Sequence, residues 1–467
     1  MPSTQATTSS TSPSRITRRL QGKVSFPSDE RYNEARKAWN LVVDQHPAMI
    51  VYVENPLDVI EAVTFANQHN LSIAVQSTGH GLKRPADGAM LINTSRMKEL
   101  RLDPRSQTAW IGAGVKWGEV LEITQQFGLA PLVGSSPDVG AVGYTLGGGF
   151  GWLARKYGLS VDSVIGLDVV TPDGVFRRAS LDENSDLFWA LRGGGGGFGV
   201  VTSMQIRLHR VTQVYAGSLF YPPNMAESAF RHFRQWVDGV PDELTASIVL
   251  MNFPSLPQIP AQVRGLSFVI VRGCYAGPVK DGQAVMAYWR DWQKPAIDDF
   301  KAMPFSHSAE ISRDPLDPGP YPMTGAWLRD LSEDSADVLI KHTFPHNGPP
   351  LVTFSEIRLA GGAIARVDPG ANAYSNRGER FLWSSVGRAA DSNALKLIRE
   401  HFDQMHTALA PYLSGKVMMN FLDGDEARRR TRDGVSEQAF RRLQAVKARY
   451  DPNNTFDYAF DIPPAKE

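Results

Sequence analysis

The chain has 467 residues, and its 49 Lys and Arg against 49 Asp and Glu give a formal net charge of zero. No global basic field exists to hold nucleic acid or an anionic membrane surface, and a single cysteine excludes an internal disulfide and any multi-cysteine metal or iron–sulfur site. With 42% hydrophobic and 21% charged residues the composition is globular, and the length passes the ~250–300 residues at which one core stops growing, so at least two cores are expected.

Residues 1–15 (MPSTQATTSSTSPSR) are polar and Ser/Thr-rich. They lack the apolar core of a secretory signal and read as a disordered tail; a transit peptide is the alternative, since no acidic residue precedes Asp29. No run approaches the ~18 apolar residues of a membrane span. A soluble, cytoplasmic protein is expected.

Residues 29–44 predict an opening helix. Segment 55–70 predicts a clearer one: Asn55 caps it, Pro56 takes the first helical position and Asp58 complements the positive end. A strand over 72–76 runs into the loop Ser77-Thr78-Gly79-His80-Gly81. A strand over 89–93 follows, then a strand over 109–115 and a helix over 117–127, with Gly128 as its left-handed stop. Residues 134–151 read GSSPDVGAVGYTLGGGFG. Val164 to Val170 reads as strand, 172–174 as turn and 185–192 as helix, leading into GGGGGFG at 193–199. Residues 200–209 alternate as a half-buried antiparallel strand. Beyond about residue 213 the glycine clusters stop and Pro-rich connections appear at 254–260, 314–322 and 345–350. Strands (266–272, 351–359, 416–422) alternate with helices (225–237, 281–292, 392–409), which predicts a second α+β unit. A helix over 434–449 leads to Tyr450-Asp451-Pro452-Asn453-Asn454.

Glycine permits positive φ and close backbone approach, and successive N–H groups can cradle a pyrophosphate. A linker would be polar throughout, but these glycines are wedged among Val139, Val142, Leu146, Phe150 and Trp152, so an ordered ligand-contacting turn is expected. Gly194, Gly196 and Gly199 match the spacing of a dinucleotide fingerprint. That fingerprint needs a strand before it and a helix after it; here the order is reversed, and a nicotinamide site is rejected.

The strand ending in Gln76-Ser77-Thr78-Gly79-His80, the 134–151 run, the strand and turn over 169–174, residues 186–199 and the terminal Tyr450-Asp451-Pro452-Asn453-x-x-Phe456 occur in an order that resembles the FAD-linked oxidases of the vanillyl-alcohol-oxidase superfamily. More narrowly, the chain resembles the berberine-bridge-enzyme-like group, which includes 6-hydroxynicotine oxidases, carbohydrate oxidases and tailoring enzymes of secondary metabolism. The match spans residues 29–213 and 415–464. It implies an α+β fold: an FAD-binding domain of two α+β subdomains, over 16–213 and completed by 425–467, with an α+β substrate domain over 214–424 that has an antiparallel sheet. It implies FAD held by one covalent link at His80. The cofactor residues it implies are Ser77, Thr78, Gly79 and Gly81; Ser136, Pro137, Asp138 and Val139; Gly143, Tyr144, Gly147, Gly148, Gly149 and Gly151; and Val200 and Tyr458. Some members add a second link through a cysteine where this chain has Ser136. Its one cysteine, Cys274, lies in the other domain, so a single tether is expected. Val139 stands at the position linked with O2 access. Met418 replaces a tyrosine of the group, and Ala459 and Asp461 replace asparagines, which points away from carbohydrate substrates.

On 351–359, alternation places Val352, Phe354, Glu356 and Arg358 on one face. Glu356 is either a general base tuned by burial or an ion-pair partner of Arg358. Asn420 either orients substrate or flavin or bonds to backbone. Tyr144 is a candidate for the flavin face; Tyr374 and Tyr458 are weaker aromatic candidates. His342 and His346 read as structural or surface residues rather than metal ligands. The four arginines of 425–433 read as a solvated helix face. The expected activity is an FAD-dependent oxidase taking a hydride from a small amine, alcohol or metabolite intermediate, with O2 as acceptor and H2O2 as product, in a monomer or homodimer. A dehydrogenase of the same fold and a non-catalytic flavin-binding protein are the alternatives.

Overall fold

The computed structural model describes residues 20–345 and 347–466. The expected tail over 1–15 and His346 lie outside them. Three large sheets, besides a short pairing of Leu129–Ala130 with His209–Arg210, organise the described residues. The first has strand order β1 (Lys23–Ser25), β2 (Met49–Tyr52), β4 (Met90–Asn93), β3 (Ile73–Gln76). Strands β2, β4 and β3 run parallel, and helix α1 (Pro56–Gln68) lies between β2 and β3 in the chain. Its start is as expected: Asn55 accepts from the amides of Leu57 and Asp58. Val59, Ala62, Val63 and Ala66 bury one stripe against Val51 and Ile92, the spacing of a helix face.

The second sheet is antiparallel, ordered β5 (Leu100–Asp103), β6 (Thr108–Gly112), β9 (Val200–Arg207), β7 (Val164–Val170), β8 (Phe176–Ala179). Met204, Ile206 and Leu208 are buried, as their alternation predicts. Helices α2 (Ala141–Leu146), α3 (Ser185–Leu191) and, from the far end of the chain, α4 (Glu437–Tyr450) contribute to the same core.

The third sheet is larger and antiparallel. Its central order is β10 (Gln213–Tyr221), β12 (Ser267–Tyr275), β11 (Leu244–Asn252), β14 (Val352–Leu359), β15 (Phe381–Gly387), β13 (Met323–Leu328). One face packs on helices over 226–236, 279–292, 333–343 and 392–409 through Phe233, Trp289, Leu339 and Phe402. The other face looks toward the first two sheets.

Three local expectations give way to tertiary contacts. The opening helix shrinks to Tyr32–Ala35, because the amides of Trp39 and Asn40 bond instead to the carbonyls of Thr78 and Gly79 at 3.0 and 3.2 Å. Segment 416–422 is no strand; Met419–Phe421 is a 3-10 turn, and Lys83 donates to the carbonyls of Met419 and of Leu422 just after it. A bulge between Val352 and Phe354 turns Val352 into the helix-side core and away from the face of Glu356 and Arg358.

Candidate functional site

A cavity of about 1020 Å³ lies between the third sheet and the first two. It stands at the top of the ~300–1,000 Å³ range of small-molecule sites, large enough for a cofactor and a second molecule.

Ser77, Thr78, Gly79, His80 and Gly81 all line it, as the loop that leaves strand β3. Gly79 has φ +79, which frees the turn that presents His80. The His80 ring stacks on Trp39, with centroids 4.1 Å apart and planes 14° from parallel. Nδ1 lies 2.8 Å from Thr78 Oγ1, while Nε2 is buried with no hydrogen-bond partner. Burial pushes the His80 pKa down to about 4; Asp138 raises it and Lys116 lowers it by smaller amounts. The imidazole is therefore neutral at pH 7, and a neutral ring nitrogen keeps its lone pair.

Facing this loop, Ser136, Val139, Gly143, Tyr144 and Gly147 form a second wall, and Gly195, Gly196 and Gly199 a third. The two glycine segments are joined: the amides of Gly193 and Gly195 both bond to the Leu146 carbonyl, at 3.1 and 3.0 Å. Ser77 Oγ and Tyr144 Oη are, like His80 Nε2, buried without partners. Such orphans are costly unless a ligand or water fills them. Burial holds the Tyr144 pKa above its ordinary value, with Arg358 pulling weakly the other way, so its hydroxyl keeps its proton.

Three further glycines of the Gly134–Gly151 run serve the scaffold. Gly149 packs on Tyr144 and Ser160, Gly148 on Tyr374 and Met418, and a Cβ on Gly151 would fall 1.6 Å from the Val133 carbonyl. These three, expected at the cofactor, lie outside the cavity lining. So does Val200, which is fully buried in the core of the first sheet. Asp138 pairs with Lys116, and Pro137 faces a neighbouring cavity of about 220 Å³. Tyr458 lines the main cavity under the Arg84 guanidinium, 4.8 Å from its ring centre. Tyr374 does not line it; its ring is buried beside Leu382 and Met418.

Asn420 reaches the cavity edge, but its carboxamide is committed. Nδ2 donates to the Tyr144 carbonyl at 3.0 Å, and Oδ1 accepts from the Gly149 amide at 3.2 Å. Of the two readings of Asn420, bonding to backbone is the one observed, and it positions the glycine turn. Glu356 likewise meets side-chain partners of its own. It lines the cavity with an exposure of 1%. Burial pushes its pKa up, but Arg358 and then Arg272 outweigh burial and hold it below the ordinary value. Arg358 Nε donates to Oε2 at 2.7 Å, and Arg272 Nη1 lies 3.8 Å from Oε1. A carboxylate so stabilised is a weak base, and the geometry favours the ion-pair reading.

Lys83 escaped the sequence reading. Its Nζ donates to the carbonyls of Met419, at 2.9 Å, and Leu422, and burial lowers its pKa to about 8 against the pull of Asp423 and Glu426. It links the His80 loop to the Asn420 turn. A lone lysine in an irregular loop carries no periodic signal. Trp39 and the cavity residues of the Pro-rich segments, such as Leu256, Ile259 and Leu316, were missed for the same reason.

The loop residues, the glycine walls and the orphaned polar atoms fit a large cofactor with hydrogen-bonding edges. Comparison with known proteins says which. Residues 47–180 match the FAD binding domain family, and residues 419–463 match the family described as berberine and berberine like. An FAD-linked oxidoreductase of Dictyostelium discoideum is 26% identical over 95% of both chains. The (R)-6-hydroxynicotine oxidase of Paenarthrobacter nicotinovorans is 35% identical over 213 residues, 45% of this chain and 46% of that one. The solved structure of Physcomitrella patens BBE-like 1 superposes with a TM-score of 0.84 over 97% of this chain and 99% of that chain, at 21% identity. Residues 47–180 thus carry an FAD binding domain and residues 419–463 a berberine-like segment, and over its length the chain is similar to FAD-linked oxidoreductases.

Proposed function

We propose that the protein is an FAD-dependent oxidase of a small organic molecule, with FAD tethered by a single covalent bond at His80. The observation that carries this reading is His80 itself: a buried, neutral imidazole whose Nε2 meets no partner, on the cavity wall beside the glycine turns. The chemistry an FAD supplies in such a site is acceptance of a hydride from a substrate carbon and, with O2 as electron acceptor, release of H2O2.

The chain's own residues bind and orient. Thr78 holds the His80 ring through Nδ1, and Trp39 fixes its plane. Ser77 and Tyr144 offer hydroxyls to the cofactor or substrate. Ser136, and Cys274 being fully buried outside the cavity lining, limit the tether to one. Val139, half-buried at the cavity wall, is the residue proposed to govern O2 access.

Acid precipitation tests the tether. Purified protein is expected to give a yellow pellet whose flavin peptide maps to residue 80, and His80→Ala is expected to release the flavin to the supernatant. A colourless wild-type pellet overturns the tether. Photoreduced protein is expected to reoxidise rapidly in air with peroxide release. Slow reoxidation, with fast electron transfer to a dye, would make it a dehydrogenase instead.

A further inference from the structure

The third sheet carries a second arrangement, on strands separate from the His80 loop and the glycine turns. Adjacent strands place residues of matching register side by side on one face. On the cavity side, one such row is Ser218, Arg272, Ser247 and Arg358. The next is Phe220, Ile270, Val249 and Glu356, and beyond it Met251 stands beside Phe354. Two guanidiniums thus sit at one end of a floor made by Phe220, Ile270, Met251 and Phe354, with Phe253 beside them.

The two arginines are not equally satisfied. Arg358 donates to Glu356 at 2.7 Å and to the Phe150 carbonyl at 3.3 Å. Arg272 is 5% exposed, its Nη1 is 3.8 Å from Glu356, its Nη2 reaches the Ser312 carbonyl only at 3.5 Å, and its Nε has no hydrogen-bond partner. One carboxylate therefore serves two buried guanidiniums, and it is bonded to the other one. Of the remaining acids that act on Arg272, Asp299 pairs with Arg313 at 2.8 Å and accepts from the Ser218 amide. Asp314 is half-buried on the segment that covers the cavity. A buried guanidinium with an unfilled donor is expensive, and its planar fork matches an oxyanion.

We propose that Arg272 receives an anionic oxygen group of the substrate, a carboxylate or a phenolate, while an aromatic or apolar body lies on the phenylalanine-rich floor. This rests on the reading of the cavity as the substrate site of a flavoprotein. It narrows the substrate class to organic anions, and it disfavours cationic amines, which would meet two guanidiniums.

The test is titration calorimetry on flavin-loaded protein with benzoate, with 4-nitrophenolate at a pH where it is ionised, and with benzylamine. At least one anion is expected to bind, and whichever binds identifies the oxygen group. Arg272→Gln is expected to weaken that binding about tenfold, the loss of ~1.4 kcal/mol, with unchanged flavin absorbance and melting temperature. If Arg272→Gln fails to accumulate, Arg272→Lys, which keeps the charge without the fork, is expected to lose several-fold. Benzylamine binding as tightly as the anions, no binding of either anion, or undiminished anion binding to the accumulating variant overturns the proposal. Failure of the oxidase reading shows separately, as protein without flavin colour or without peroxide release.

Discussion

Gly79 and His80 act as a pair at the level of single residues. Gly79 holds φ +79, and an added Cβ would sit 2.6 Å from the Ala38 Cβ. Gly79→Ala therefore combines left-handed strain with a clash, together about 3 kcal/mol. A lower melting temperature and a reduced ratio of flavin to protein absorbance are expected. His209 gives a pH test away from the cavity. Burial lowers its pKa to about 4, with a smaller push from Arg207, and its ring stacks on Tyr157 at 4.2 Å. Below pH 6.5 the unfolded chain takes up a proton that native His209 refuses until pH about 4. Native stability is thus complete above 6.5 and is lost as pH falls through that window, by about 3 kcal/mol. His209→Phe keeps the stacking and removes the proton. Urea unfolding at pH 7 and pH 4.5 is expected to show a smaller acid loss for the variant than for the wild-type chain.

Among the elements, the terminal motif works through a buried ion pair. Lys447 on α4 donates to Asp451 at 2.7 Å, to the Phe456 carbonyl at 3.1 Å and to the Gly197 carbonyl. Asp451 in turn accepts from the amides of Thr455 and Phe456. The helix end thereby pins both the final segment and the 193–199 glycine turn. The two side chains are 2% and 0% exposed, so Asp451→Asn leaves a buried cation without its counter-charge, at a cost of about 3 kcal/mol. Denaturant unfolding is expected to show the loss, and hydrogen exchange to rise over 193–199 and 455–462. The elements also divide by how well the chain announces them. Helix α1, strand β7 and the helix over 392–409 follow their caps and periodicities closely. The opening helix and the 416–422 strand failed because partners distant in sequence claimed their backbone groups, and no local window contains those partners.

At the scale of the whole molecule, the far end of the chain fills a core begun by the near end. Phe440, Leu443 and Val446 of α4 pack with Leu187, Leu191 and Phe198. A chain ending at Val435 is expected to lose cooperative unfolding in calorimetry and to be cut rapidly by protease, because it exposes that core. The cavity has the same composite origin. His80 comes from the first sheet, the glycine walls from around the second, and Arg272 and Glu356 from the third. Among the described residues, no helix is long and apolar enough to cross a membrane.

The amino-acid sequence alone determined the resemblance to FAD-linked oxidoreductases, the glycine turns, the loop that carries His80 and most regular elements, because each rests on contiguous residues whose spacing has a local physical cause. It also placed Glu356 and Arg358 on one strand face, since alternation is a local rule. Only the tertiary structure decided what those residues do. Arg272 and Glu356 are 84 positions apart in the chain and meet through a strand that lies between theirs. Their charges, the commitment of Asn420 to backbone, the stacking of Trp39 on His80 and the burial of Lys83 arise where separate strands and loops converge. Electrostatics and hydrogen bonding depend on what surrounds a group, and its surroundings are drawn from the whole fold.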